Sequence, residues 1–276
     1  MTLNDQQRTL TRPDCVLAWK RSGTGTPIVW IQGVGVQGDA WRPQTEAFES
    51  HFSSLTFDNR GMGASTVADP RASFSIGDLA DDTLALMDEQ GWETAHIVGH
   101  SMGGIIAQEV ALRARARVLS LTLMCTFHRG PQALALTAKM MSIGLRSRVG
   151  TKRMRRRAFL EIVLSPEEHA SSDLDVCAEE LALLFGHDLA VTPPIAMKQL
   201  FAMRDHDASA RLHELTGIRT LVMSGAEDPL ALPAYGRALA EAIPGSRFVA
   251  VPGAAHGLPI QHAAETNELL RAHFMG

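Results

Sequence analysis

The chain has 276 residues, 45% of them hydrophobic and 20% charged. That length lets a fold bury roughly 75% of the surface its unfolded form exposes. With 26 Lys and Arg against 30 Asp and Glu, the formal net charge is −4, which excludes a global basic field for nucleic acid or an anionic membrane surface.

The first residues, MTLNDQQRTLTRPDC, are polar and hold no apolar core of signal-peptide length. No stretch approaches the roughly 18 uncharged apolar residues of a transmembrane helix, so stable membrane insertion is not expected. Cys15, Cys125 and Cys177 are widely spaced and odd in number. They read as reduced thiols of a cytoplasmic protein rather than as a metal site or a disulfide framework.

Along the chain, short β-rich runs alternate with helical patterns. Strands are predicted at 16–20, 27–32, 53–57, 95–99, 118–124, 219–225 and 246–252, several of them nearly continuous apolar runs. Such runs suit strands covered on both faces of a parallel sheet. Helices are predicted at 76–90, 102–115, 234–242 and 262–274. The alternation implies an α/β fold with a mostly parallel central sheet flanked by helices. It breaks between 127 and 215, a stretch rich in Leu, Met, Ala and charge with no convincing strand. The expected organisation is therefore a core of 1–126 and 216–276, with 127–215 inserted as a helical cap.

Gly99-His100-Ser101-Met102-Gly103 matches G-x-S-x-G between a predicted strand and a predicted helix. A sharp turn there exposes the serine hydroxyl at the sheet edge, and the helix N-terminus beneath it offers free N–H groups to an oxyanion. A serine needs a base, and a base needs an orienting acid. The chain offers both late: Glu227 and Asp228 in the loop after one strand, and His256 between small residues after another. Of eleven histidines, His256 is set apart by its strand-end position; His262, at the start of a helix, is expected to face solvent.

Together, IQGVGVQGDAW at 31–41, FDNRGMGAS at 57–65, GHSMGG at 99–104, and the pair GAEDP and GAAHG make the chain resemble the α/β-hydrolase superfamily from about residue 15 to 274. The likeness is to its capped esterases, lactonases and haloperoxidase-like members. The resemblance implies an α/β-hydrolase fold and a triad of Ser101, His256 and Asp228, the last chosen over Glu227 by its G-x-x-D-P setting. It also implies oxyanion donors at the backbone N–H groups of Val34 and Met102. Asp58 and Arg60 become scaffold residues, and Trp41 packs under the oxyanion loop. Where the family usually has His-Gly, this chain has Gln32-Gly33, which leaves Gln32 to brace the loop. Serine at 101 argues against the aspartate-nucleophile dehalogenases and epoxide hydrolases.

No cofactor is expected. The substrate is expected to be a small ester or lactone, with Gln32, Gly33, Met140 and Phe201 as binding residues. Leu134 and Leu136 are further lining candidates, and the Met, Leu and Phe of the cap favour a fairly apolar group. The basic run 146–157 reads as a solvated helix face. Carboxylic-ester hydrolysis leads; lactonase, C–C bond hydrolase and perhydrolase chemistry share the same triad, and a ligand receptor on this fold is the reading from another class. Oligomeric state is left open.

Overall fold

A computed structural model describes residues 6–134 and 137–276, the side chains at 133 and 134 excepted, so the expectations for Leu134 and Leu136 lie outside the described residues. Strands β1 (Arg8–Thr11), β2 (Cys15–Gly23) and β3 (Thr26–Ile31) lead through α1 (Arg42–Phe48) to β4 (Phe52–Phe57) and the short β5 (Thr66–Val67). Three alternating units follow: α2 (Ile76–Glu89) to β6 (Ala95–His100), α3 (Met102–Arg113) to β7 (Val118–Met124), and, after a long insertion, β8 (Thr220–Gly225). Helix α10 (Pro233–Ala242), strand β9 (Arg247–Val251) and helices α11 (Leu258–Gln261) and α12 (Ala263–Met275) complete the chain. The insertion consists of α4 (Gly130–Leu134), α5 (Ala138–Arg146), α6 (Lys152–Val163), α7 (Pro166–Ser171), α8 (Leu174–Phe185) and α9 (Ala196–Arg204).

The sheet order is β1-β2-β4-β3-β6-β7-β8-β9, with β5 beside β2. Every pair from β4 through β9 is parallel, whereas β2 runs antiparallel to β1, β4 and β5. The parallel strands are the apolar runs of the sequence, because helices cover both faces. From β3 the chain leaves to one side toward β4, and β6 then starts the other half. The C-terminal ends of β3 and β6 therefore flank a switch in strand order, where open α/β sheets form a crevice. Gln32-Gly33 and Ser101 sit at those two ends.

Two apolar clusters hold the molecule. The larger packs both sheet faces and includes Trp30, Trp41, Phe48 and Phe57. The smaller joins Leu160, Val163, Leu181 and Phe185 of the insertion to Ala40 of the loop after β3. Leu212 and Leu215, expected at the end of the cap, are packed in the larger cluster. The two ends of the insertion are tied by backbone bonds from Gly130 N–H to His206 O (2.7 Å) and from Ala208 N–H to His128 O (2.9 Å).

Five of the seven positive residues in the basic run are matched within the insertion itself. Arg146 pairs with Glu161, Arg153 and Arg157 with Asp175, and Arg156 and Lys152 with Asp188. These exposed pairs fasten α6 to its neighbours and contribute little each.

Asp58 and Arg60 serve the scaffold. Asp58 accepts bonds from the N–H groups of Gly38 and Ala64, both 2.9 Å, closing two turns. Arg60 forks onto Asp82 at 2.6 and 2.7 Å and reaches Asp14 at 2.6 Å; Asp82 is 1% exposed. Arg60→Leu leaves that buried carboxylate with Arg12 at 3.1 Å and the weak Cys15 thiol donor at 3.8 Å. The expected cost is about 3 kcal/mol or more, because an orphaned buried charge loses its compensation. Urea unfolding at pH 7 measures it; an unchanged midpoint would show that the pair is dispensable.

Candidate active site

Ser101 lies between β6 and α3 with φ 56° and ψ −121°, a left-handed backbone that β-carbon sterics penalise. The turn is held from several sides. Its N–H donates to Met124 O at 2.9 Å, while its carbonyl accepts from Gly104 N–H at 2.9 Å and from the Thr126 hydroxyl at 2.7 Å. The two motif glycines are there for close approach: a β-carbon at Gly99 would strike the Gly103 carbonyl, and one at Gly103 would strike that of Ile31. The spacing of G-x-S-x-G thus reflects backbone packed on backbone on each side of the serine.

Asp228 follows β8 in the loop and is 2% exposed, whereas Glu227 is exposed to solvent. The Asp228 carboxylate accepts from the N–H groups of Leu230 (2.8 Å) and Ala231 (2.9 Å) with one oxygen. Its other oxygen lies 2.8 Å from Nδ1 of His256. That contact sets the tautomer: Nδ1 carries the proton, and Nε2 keeps the lone pair a base needs.

His100, the variable residue of the motif, fixes the histidine loop from below. Its Nε2 donates to the His256 carbonyl at 2.8 Å, and the two rings lie 4.8 Å apart. Burial, and then the neighbouring His256, push the His100 pKa down to about 3, so it stays a neutral donor. Cys125, at the end of β7, also has a positive φ of 47° and is fully buried. Donor atoms of His100, Cys125 and His256 lie within 4.8 Å of one another. Burial and the Asp228 charge push the thiol pKa well up, so Cys125 sits there as a neutral thiol.

On the other side of the serine, Gln32 is 1% exposed and donates to Phe57 O at 2.6 Å, bracing the start of the loop against β4. A β-carbon on Gly33 would lie 3.1 Å from Ser101 Cβ and 3.5 Å from its hydroxyl, so this backbone runs directly over the serine. Val34 follows it, partly buried. Met102 opens α3, where the first N–H groups of a helix have no intrahelical acceptor. Gly33 and the start of α3 thus lie against Ser101, while His256, paired with Asp228, is tied through its carbonyl to His100 beside the serine. Trp41 is buried nearby, 5.1 Å from the Trp30 ring and 6.5 Å from that of His100.

The insertion residues divide. Met140 is buried on α5, but Phe201 is 49% exposed with the Arg204 guanidinium 5.0 Å from its ring. Phe201 thus lies on the outer side of α9, whose inward stripe is Ala196, Gln199, Ala202 and Met203. His262 is corrected: it lies against the insertion, 3.3 Å from Glu168, rather than in open solvent. Sequence reading passed over Gln199 and His187, whose side chains reach the loop after β3. A polar residue at a core position of α9 was the available signal for the first; none existed for the second.

The chain belongs to the α/β hydrolase fold family, whose model matches residues 26–263. It is similar to a protein of Azorhizobium caulinodans named "Putative carbamate hydrolase RutD", 30% identical over 258 residues that cover 93% of this chain and 94% of that one. It is also similar to "Putative non-heme bromoperoxidase BpoC" of Mycobacterium tuberculosis, 31% identical over 254 residues covering 87% and 90%. Among solved structures, the enol-lactonase of Burkholderia xenovorans superposes with a TM-score of 0.77 at 25% identity, over 95% of this chain and 97% of that one. Among the described residues no helix is long and apolar enough to cross a membrane.

Proposed function

We propose that the protein is a serine hydrolase that cleaves carboxylic esters of small to medium, fairly apolar substrates through an acyl-enzyme. The observation that carries this reading is the strained, glycine-flanked Ser101 turn, whose neighbour His100 bonds the backbone of a histidine tied through Nδ1 to Asp228 at 2.8 Å. In the first half-reaction Ser101 Oγ attacks the ester carbonyl and its proton passes to His256 Nε2. The resulting oxyanion is held by the N–H groups of Val34 and Met102. Collapse expels the alcohol, which takes the proton back from His256 and leaves an acyl-serine. Water then repeats the attack through the same histidine and releases the acid, so the net reaction consumes one ester and one water. The insertion serves as the cap, with Met140 among its buried apolar residues.

A lactone is the second reading, favoured by the likeness to the enol-lactonase, and it needs no change in machinery because a lactone is a cyclic ester. Hydrolysis of p-nitrophenyl esters of increasing acyl length, beside a panel of lactones and carbamates, tests the choice. Turnover highest on short and medium acyl chains is the expected result. Turnover confined to lactones or carbamates would replace the ester reading, and a folded protein inert toward all three would remove it.

A further inference from the structure

The loop that carries the Val34 amide is intrinsically soft. Val34 stands between Gly33 and Gly35, and glycines allow the intervening peptides to rotate at little steric cost. Upstream, the core fixes the loop through Gln32 and Phe57. Downstream, Gly35 sits at φ +69°, facing Pro193 and Ala196 of the insertion. Its peptide groups are held by that insertion on both sides. The Gly35 N–H donates to Gln199 Oε1 at 2.8 Å, and the Gly35 carbonyl accepts from His187 Nε2 at 2.7 Å.

Gln199 is an expensive residue to keep in that place. It is fully buried on α9, and its Nε2 has no partner among the described residues. A buried donor left unsatisfied costs about 1–3 kcal/mol, which a leucine would avoid. Among the described residues, the bond to Gly35 is the one hydrogen bond its side chain makes.

The insertion grips the other catalytic loop as well. The carbonyls of Ile162 and Val163, at the end of α6, accept from the N–H groups of His256 (3.2 Å) and Gly257 (3.0 Å). Gln37 N–H donates to Phe185 O at 3.3 Å, and Val36 packs into the small apolar cluster of α6 and α8. Loops that belong to the core by sequence are thus finished by hydrogen bonds from the insertion.

We propose that Gln199 is a positioning residue, assisted by His187, that sets the Val34 amide for the oxyanion, so acylation of Ser101 requires the insertion to be seated. This rests on the serine-hydrolase reading above. A misaligned donor loses most of its value, because oxyanion stabilisation falls steeply with geometry.

The test is the rate at which a fluorophosphonate labels Ser101, since its phosphoryl oxygen occupies the oxyanion position, beside kcat and KM on an ester. Gln199→Leu removes the acceptor; Gln199→Glu keeps one, because a buried carboxyl takes up a proton and still presents a carbonyl oxygen. Gln199→Leu is expected to slow labelling and kcat roughly 10- to 100-fold with KM little changed, and Gln199→Glu to restore most of the rate. A folded Gln199→Leu that labels at the wild-type rate overturns the proposal. So does a Gln199→Glu variant as slow as the leucine one, since general loosening of the fold would account for both. Should Gln199→Leu not fold, His187→Phe, on a half-exposed loop, is expected to slow labelling several-fold, and no slowing overturns the proposal equally. Wild-type protein that is not labelled, or a Ser101→Ala variant that is, marks instead the failure of the serine-hydrolase reading beneath it.

Discussion

Ser101→Ala is expected to lower kcat for ester hydrolysis by about 10⁴–10⁶ while leaving the fold intact. The size follows from what is removed. In the proposed mechanism the hydroxyl forms the acyl intermediate, and without it His256 and Asp228 have no nucleophile to activate. The fold survives because the turn is held by backbone and by Thr126, through bonds to the Ser101 N–H and carbonyl, none of which involves its hydroxyl. The hydroxyl lies in a site where alanine opens no large cavity. Alanine does retain the cost of a positive φ, so the variant should unfold within about 1 kcal/mol of the parent. Single-turnover kinetics on a p-nitrophenyl ester, with the loss of the burst, reads the effect. Retained turnover after Ser101→Ala would remove the serine from the mechanism.

Stability is expected to fall steeply between pH 6.5 and pH 5, through histidines that the fold buries uncharged. His96 is 3% exposed, shares a hydrogen bond with Ser120 at 2.8 Å and packs 4.5 Å from the Phe274 ring. Burial, reinforced by Arg219, pushes its pKa down to about 4. Burial and Arg219 also push His273 down to about 4, and burial and His256 push His100 down to about 3. In each case the folded pKa lies below that of the unfolded chain, so unfolding takes up protons as the pH drops. The stabilisation is fully present above about pH 6.5 and is lost as the pH falls toward 4. At pH 5 a fully buried histidine of this kind has surrendered about 2 kcal/mol. His96 is the fully buried ring of the three; His100 and His273, which keep some solvent contact, add to the same trend by less. Urea midpoints at pH 7.5 and pH 5.0 test this, with His96→Gln expected to flatten the dependence by about one proton. Equal midpoints at the two pH values would show that these rings ionise in the folded state.

The histidine effect was not readable in the sequence, because nothing in AHIVG distinguishes a ring wedged between Phe52 and Phe274 from one on a surface. The alternation of apolar runs and helical patterns did determine the sheet, because strands buried on both faces admit few polar residues. It missed β1, β5 and α1, whose sequences are short and mixed in polarity. The serine turn was legible because G-x-S-x-G encodes local steric demands, namely two close backbone approaches and a helix start. Asp228 was separated from Glu227 only by its likeness to a family pattern; in the fold, burial and two backbone N–H groups make the distinction.

Inside the insertion the sequence determined composition but not facing. Phe201 looked like a binding residue because it is aromatic, yet the turn of α9 points it outward and Gln199 inward. Which side a helical residue presents depends on how the helix is seated, and α9 is seated by contacts with residues more than a hundred positions earlier. The hold of Gln199 and His187 on Gly35 spans 164 and 152 positions. Bonds of that separation exist only once the sheet, the loop after β3 and the insertion have met. The sequence by itself therefore determined the sheet, the serine turn and the candidate triad, whose signals are local. Only the tertiary structure decided what holds the loop after β3, because the groups that hold it are brought there by packing.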